Sequence, residues 1–143
     1  MKKESEDHIQ QECLVWYNLE YCTLAKNPRG VCYSIPNEGA MQMGREIMGQ
    51  LKGKVSDLVM KIIQKTTGIM THRLKLTGMK EGVSDTHIIL PNGKILFIEF
   101  KTSTGYQSKE QKDFQQVIEN LGHTYLLVRN LKEFQYYIRL YEK

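Results

Sequence analysis

The strongest constraint on this chain is a pair of apolar runs, Val83 to Leu90 and Ile95 to Lys101, separated by Pro91-Asn92-Gly93-Lys94. Asn-Gly between such runs favours a tight two-residue hairpin turn, so the runs are predicted to be antiparallel neighbours in a sheet. Side chains alternate along a strand, which places Ile95, Phe97, Glu99 and Lys101 on one face and Leu96, Ile98 and Phe100 on the other. A carboxylate and an ammonium therefore emerge side by side where an otherwise apolar strand ends, outside the predicted core. Positions 85 and 99 are centred on Asn92. Antiparallel pairing thus brings Asp85 opposite the Glu99 region.

The rest of the chain supplies elements to flank this hairpin. From about Glu4 to Tyr21, Ile9, Cys13, Trp16 and Tyr17 recur at steps of three and four, and Ser5 suits the start, predicting a first helix. Asn27-Pro28-Arg29-Gly30 reads as a turn, Val31 to Ile35 as a strand, and Pro36-Asn37-Glu38-Gly39 as its stop. Between Met41 and Thr67 the spacing of Ile47, Leu51, Val55, Leu58, Val59, Ile62 and Ile63 predicts one or two helices interrupted near Gly49 and Gly53. A short helix from Thr71 to Gly78 is expected next. After the hairpin, Ser108 caps a helix running to about Leu121, with Phe114, Val117, Ile118 and Leu121 inward and Gly122 ending it. Thr124 to Val128 reads as a strand. A last helix spans about Leu131 to Tyr141, with Leu131, Phe134, Ile138 and Tyr141 on one stripe. This order implies an α/β fold, a central mixed sheet flanked by helices.

At 143 residues the chain is expected to form one domain with a sizeable core. Its 41% hydrophobic and 25% charged residues are those of an ordinary globular protein. No apolar run approaches the ~20 residues that span a bilayer, and the N-terminal residues lack the apolar stretch of a signal peptide, so a cytoplasmic protein with no membrane partner is expected. Cys13, Cys22 and Cys32 lack C-x-x-C spacing and read as reduced thiols, not as a disulfide framework or zinc site. The net charge of +4 is modest. Its distribution is uneven: from Leu51 to Lys80 the basic residues Lys52, Lys54, Lys61, Lys65, Arg73, Lys75 and Lys80 face only Asp57. Lys52, Lys54, Lys61, Lys65, Arg73 and Lys75 are the candidate nucleic-acid contacts, since phosphate contacts supply most non-specific affinity. A solvated helix face would have the same composition.

Hard divalent cations such as Mg²⁺ take oxygen ligands, commonly one or two carboxylates beside water and substrate phosphate. Asp85 and Glu99 offer the carboxylates, and the main-chain carbonyl of Phe100 a further oxygen. A cation held there polarises a phosphodiester and activates water, while Lys101 steadies that water or the charge building on phosphorus. The same three residues, taken on spacing alone, also suit a surface ion pair worth ~0–1 kcal/mol. His87 shares a face with Asp85, but a single strand histidine is more often satisfied by a neighbour. His8, His72 and His123 lack ligand spacing.

The surroundings of these residues carry more information than their spacing. Gly82-Val-Ser-Asp85, Leu96-Phe-Ile-Glu-Phe-Lys101, Ser108-Lys-Glu-Gln111, Leu121-Gly122 and the Val128 strand followed by the Ile138 to Tyr141 helix resemble the VRR-NUC domain. That family is a group of PD-(D/E)xK nucleases found in phages and in the tail of a eukaryotic DNA-repair nuclease. Glu6-Asp-His-Ile-Gln10 leading to Trp16 is similar to the family's first-helix E…Q motif, and Ile35-Pro-Asn37 to its I-P-N loop. Most of the chain is covered, leaving about 41–70 as an apparent helical insertion in a single domain, 1–143. Ser84 stands where the family usually has Pro.

The resemblance implies a restriction-endonuclease-like sheet and a Mg²⁺- or Mn²⁺-dependent endonuclease. Its substrate would be branched or flapped DNA in repair or phage DNA processing, cut by a homodimer presenting two sites to a two-fold junction. Catalytic roles then fall on Asp85, Glu99, Lys101, Gln111 and Glu6. The metal ligands would be Asp85, Glu99, the Phe100 carbonyl and Glu6 reaching from the first helix, with Gln10 one turn later, while Gln111 would orient Lys101 or a metal-bound water. Glu12 competes with Glu6, but only Glu6 keeps the family's spacing to Gln10 and Trp16. A nuclease acting on RNA and a non-catalytic binding module of the same fold are the alternatives.

Overall fold

A computed structural model describes residues 5–22, 24–35 and 46–143. The chain divides into two compact units, Met1–Ile35 with Gly82–Lys143, and Pro36–Glu81. In the first unit, α1 (Glu6–Glu20) is followed by β1 (Val31–Ser34). In the second lies α2 (Asp57–Leu76), and the first unit resumes with β2 (Thr86–Ile89), β3 (Ile95–Phe100), α3 (Lys109–Asn120), β4 (Thr124–Val128) and α4 (Leu131–Tyr141). The four strands form one sheet in the order β1-β2-β3-β4. β1, β2 and β3 are antiparallel neighbours, and β4 runs parallel to β3. This is the mixed sheet with flanking helices that the element order implies.

The two faces of the sheet are built differently. Ile88, Leu90, Leu96, Ile98, Phe100, Leu126 and Val128 face Ile9, Cys13, Tyr17 and Tyr21 of the first helical segment and Phe134 and Ile138 of α4, forming the apolar core. Tyr17 stacks on Tyr21 with ring centroids 4.8 Å apart, and Trp16 meets Phe134 edge-on. The opposite face carries Phe97, Glu99 and Tyr125 under α3, whose Phe114 stands edge-on to Phe97 and Tyr125. Helix α3 departs from expectation here. Ile118 is buried, but Val117 and Leu121 are exposed. The inward stripe runs instead through Gln111, Phe114, Gln115 and Ile118, because the N-terminal end of the helix covers polar groups.

The hairpin turn also differs from the two-residue form. Leu90 N–H donates to Lys94 O, and Gly93 N–H donates back to Leu90 O, so the loop holds three residues, Pro91, Asn92 and Gly93. Pro91 suits the first turn position by its fixed φ, and Gly93 takes the left-handed conformation at φ +80 that closes such a loop. A three-residue loop is centred on Asn92, whereas a two-residue Asn-Gly turn would shift the pairing by one and reverse every side chain. The observed register, Thr86 with Ile98 and Ile89 with Ile95, keeps Asp85 opposite Glu99.

Helices α1 and α3 begin on the expected caps, and α4 begins on Asn130, which is not among them. Ser5 accepts from His8 N–H, Asn130 from Glu133 N–H, and Ser108 forms a reciprocal capping box with Gln111. Cys13, Cys22 and Cys32 are free thiols.

In the second unit, residues 46–51 are helical and the chain breaks around Gly53, at φ +75, before α2 begins. The short helix expected at Thr71 to Gly78 is not separate but the end of α2. Gly68 inside it costs only ~1 kcal/mol against Ala and does not stop it, while Thr66 and Thr67 hydroxyls bond back to Ile62 and Ile63 carbonyls. None of the 20 residues of α2 is buried. The Pro36 to Gly39 stop, the I-P-N loop beyond Ile35 and the helix start near Met41 lie outside the described residues. The unit Pro36–Glu81 encloses the interval 41–70.

Candidate active site

At the C-terminal end of β3 the alternation of the strand places Glu99 and Lys101 on the α3 face, and both are buried, Glu99 completely. They are thus part of the interior, contrary to the expectation that they lie outside the core. The Lys101 ammonium is 2.7 Å from Glu99 Oε1 and 3.3 Å from Glu6 Oε2. Glu6 arrives from the first turn of α1, where the helix dipole favours a carboxylate. Gln10, one turn on, donates from its amide to Thr86 Oγ1 at 3.0 Å and to Ser34 Oγ at 3.2 Å, fastening α1 to two strands.

Asp85 stands across the hairpin. Its Oδ2 accepts from the Phe100 main-chain N–H at 2.8 Å, which fixes the carboxylate against the backbone between Glu99 and Lys101. Gly82 permits the approach of this segment to α3. A Cβ there would sit 2.4 Å from the Glu110 carbonyl, and its φ of +78 also requires glycine. Ser84, in the position of the family's Pro, is fully buried, and Asp85 keeps its place beside it.

Gln111 bonds the Glu99 oxygen that Lys101 also contacts. Its side-chain oxygen accepts from Ser108 N–H at 2.9 Å while its amide donates to Glu99 Oε1, so one residue both caps α3 and holds the carboxylate. Two further residues belong to the site that sequence reasoning missed. The phenol of Tyr125 donates to Glu99 Oε2 at 3.3 Å. The Arg129 guanidinium donates to the carbonyls of Thr102 and Gly105, pinning the loop that follows Lys101. Each carried one available signal, a hydroxyl or guanidinium on or beside an apolar strand, since such groups need partners when covered.

The electrostatics are those of a crowded acidic site. Burial, and next the charge of Asp85, push the Glu99 carboxyl up to about 7. Burial likewise raises Asp85, only partly offset by the Phe100 N–H and Lys101. For Lys101 burial opposes the charge, but the hydrogen bond and charge of Glu99, with Glu6 and Asp85, hold its pKa above the ordinary value. The lysine therefore stays an ammonium. Three carboxylates share this one cation, leaving an excess of negative charge that a divalent ion would neutralise.

Oxygen donors of this kind fit Mg²⁺ or Mn²⁺. Among the described residues no three His, Cys, Asp or Glu side chains converge as a ready-made metal cluster. The donors available are Asp85 and Glu99 with the main chain at Phe100, and Glu6 is ion-paired with Lys101 beside them. His87 lies between Tyr33 and Phe97, its pKa lowered by burial, with Nδ1 3.4 Å from the Tyr33 hydroxyl.

The basic residues form a separate group. Lys52, Lys54, Lys61, Lys65, Arg73 and Lys75 are all exposed in the second unit. Lys75 is committed to an ion pair with Glu81 at 2.7 Å. Among the described residues no helix is long and apolar enough to cross a membrane.

No model of a known protein family matches this chain, and no curated protein matches it. Among solved structures, a "VRR_NUC domain protein" superposes with a TM-score of 0.64 over 99% of this chain and 90% of its own, at 15% sequence identity. At that identity the likeness is one of fold. The chain thus has a VRR_NUC-like α/β fold, in agreement with the family its motifs resemble.

Proposed function

We propose that the protein is a Mg²⁺- or Mn²⁺-dependent nuclease that hydrolyses phosphodiester bonds in DNA at the Asp85, Glu99 and Lys101 centre. The observation that carries this reading is the opposition of Asp85 and Glu99 across the hairpin, with the Lys101 ammonium 2.7 Å from Glu99. A surface ion pair has no reason to be buried beside a second carboxylate, because desolvating such a pair costs more than it returns unless function retains it. The fold shared with a VRR_NUC domain protein supports the same reading.

In this reading Asp85, Glu99 and the Phe100 carbonyl hold the cation, which when bound polarises the phosphodiester and lowers the pKa of water. Lys101, kept charged by its three acidic neighbours, stabilises the negative charge that builds on the phosphoryl oxygens as the bond breaks. Glu6 restrains the lysine from the α1 side, and Gln111 holds the Glu99 carboxylate in place. The exposed lysines of the second unit bind backbone phosphates. Branched or flapped DNA is the favoured substrate, and the enzyme works as a homodimer joined through the exposed apolar residues of α2, Leu58 and Ile62 among them.

Cleavage of single-stranded, duplex, flapped and four-way DNA, with an RNA control, in Mg²⁺ or Mn²⁺ tests the proposal. Metal-dependent cutting of the branched DNAs is expected, with none in EDTA. Binding without cutting of any substrate would leave a binding module, and preferential cutting of RNA would overturn the substrate assignment.

A further inference from the structure

We propose that Tyr125 is a positioning residue for the Glu99 carboxylate, fixing its Oε2 for the divalent cation; the inference rests on the metal-dependent reading of the site. Parallel pairing places Tyr125 beside Phe97, on the face that carries Glu99. Its ring is buried and stands edge-on to Phe114, with centroids 6.3 Å apart. A buried phenol must find a hydrogen-bond partner. Here the phenol donates to Glu99 Oε2 at 3.3 Å and also has a hydrogen bond with the Gln107 side chain.

The two oxygens of Glu99 are served by different donors. Oε1 receives the Lys101 ammonium and the Gln111 amide. Among the described residues Oε2 receives the tyrosine alone. Without the phenol the carboxylate would be fixed at one oxygen and free to pivot about it. Lys101 and Gln111 end in longer, more flexible side chains, whereas tyrosine has two rotatable bonds and its ring is held here against Phe114. It is therefore the stiffest of the three supports. Groups that hydrogen-bond a metal-ligating carboxylate in this way typically contribute 10–100-fold to metal affinity or activity.

Tyr125→Phe removes one hydroxyl and keeps the ring. Calorimetric titration of Mn²⁺ into the wild type, Tyr125→Phe and Phe114→Leu, together with melting of each protein in EDTA, separates positioning from packing. The expected result is a Mn²⁺ Kd weakened about 10-fold or more in Tyr125→Phe, with a metal-free melting midpoint close to wild type and an unchanged Kd in Phe114→Leu. An equal Kd for wild type and Tyr125→Phe would overturn the tyrosine's role while leaving the metal site standing. An equal loss in Phe114→Leu would also overturn it, as a packing effect. Absence of Mn²⁺ binding by the wild type would overturn the metal reading and this inference with it.

Discussion

The two faces of the sheet put the same strands to different uses. On the α1 and α4 face, Ile88, Leu96, Ile98, Phe100 and Val128 are buried against aromatic and aliphatic side chains, and the single polar strand residue buried there, Thr86, is tied to Gln10. On the α3 face, burial falls on Glu99, Lys101 and Tyr125, which need hydrogen bonds and opposite charge to be tolerated. One face supplies stability. The other gives some up to hold charged groups in fixed positions, and this is where the proposed chemistry lies.

Substitutions on either side should separate these roles. Lys101→Ala is expected to lower kcat about 10²- to 10³-fold or more, the range for removing one preorganised electrostatic partner of a transition state, with the fold retained. Phe134→Ala, in the core of the other face, is expected to cost ~3–5 kcal/mol of stability, measured by urea unfolding, while the folded fraction keeps its cleavage rate. A Lys101→Ala protein that cuts normally, or a Phe134→Ala protein that is stable but inactive, would erase the distinction.

A smaller effect follows from pH. The folded Glu99 carboxyl titrates at about 7, above its ordinary 4.5, so ionising it opposes folding. Its contribution to stability is complete below about 4.5 and is lost as pH rises through about 7. In EDTA the wild type should therefore be less stable at pH 8 than at pH 5.5, and Glu99→Gln should flatten that slope, as read from urea midpoints. Equal slopes for the two proteins would mean that Glu99 is not perturbed. Saturating Mn²⁺ should offset the loss at the higher pH by mass action.

The smallest effect concerns the second unit. If its lysines contact phosphates, Lys61→Ala/Lys65→Ala should weaken binding to all DNAs alike and lower the slope of log affinity against log salt by about one unit per lost contact, with cleavage at saturating DNA nearly unchanged. An unaltered salt slope would remove these residues from the interface. Leu58→Asp, measured by sedimentation, tests the apolar side of the same helix as a dimer contact.

Much of this arrangement was legible in the residues because local rules decide it. β4, α4 and the caps of α1 and α3 follow from apolar periodicity and the Ser5 and Ser108 side chains. Asp85, Glu99 and Lys101 came together through alternation and a hairpin centred on Asn92, although the turn proved to have three residues. Glu6 was reached through family resemblance, since nothing local states that the start of α1 meets the end of β3. Tyr125 and Arg129 were not found because their partners depend on the parallel register of β3 and β4. That register is set by the crossover through α3 and not by a turn. The helical signal of α2 was misdivided because the apolar spacing reads as ending at Thr67, leaving Thr71 to Gly78 as a separate helix.

In the proposed reaction Glu99 works with a divalent cation at the end of β3 to cut DNA. Single-turnover cleavage of a flapped duplex by wild type and Glu99→Ala, each in Mn²⁺ and in EDTA, tests it most directly. The expected result is cutting by the wild type in Mn²⁺ alone and a loss of about 10³-fold or more in Glu99→Ala, while the variant still binds the DNA. Cleavage by Glu99→Ala at the wild-type rate, or wild-type cleavage that persists in EDTA, would contradict it.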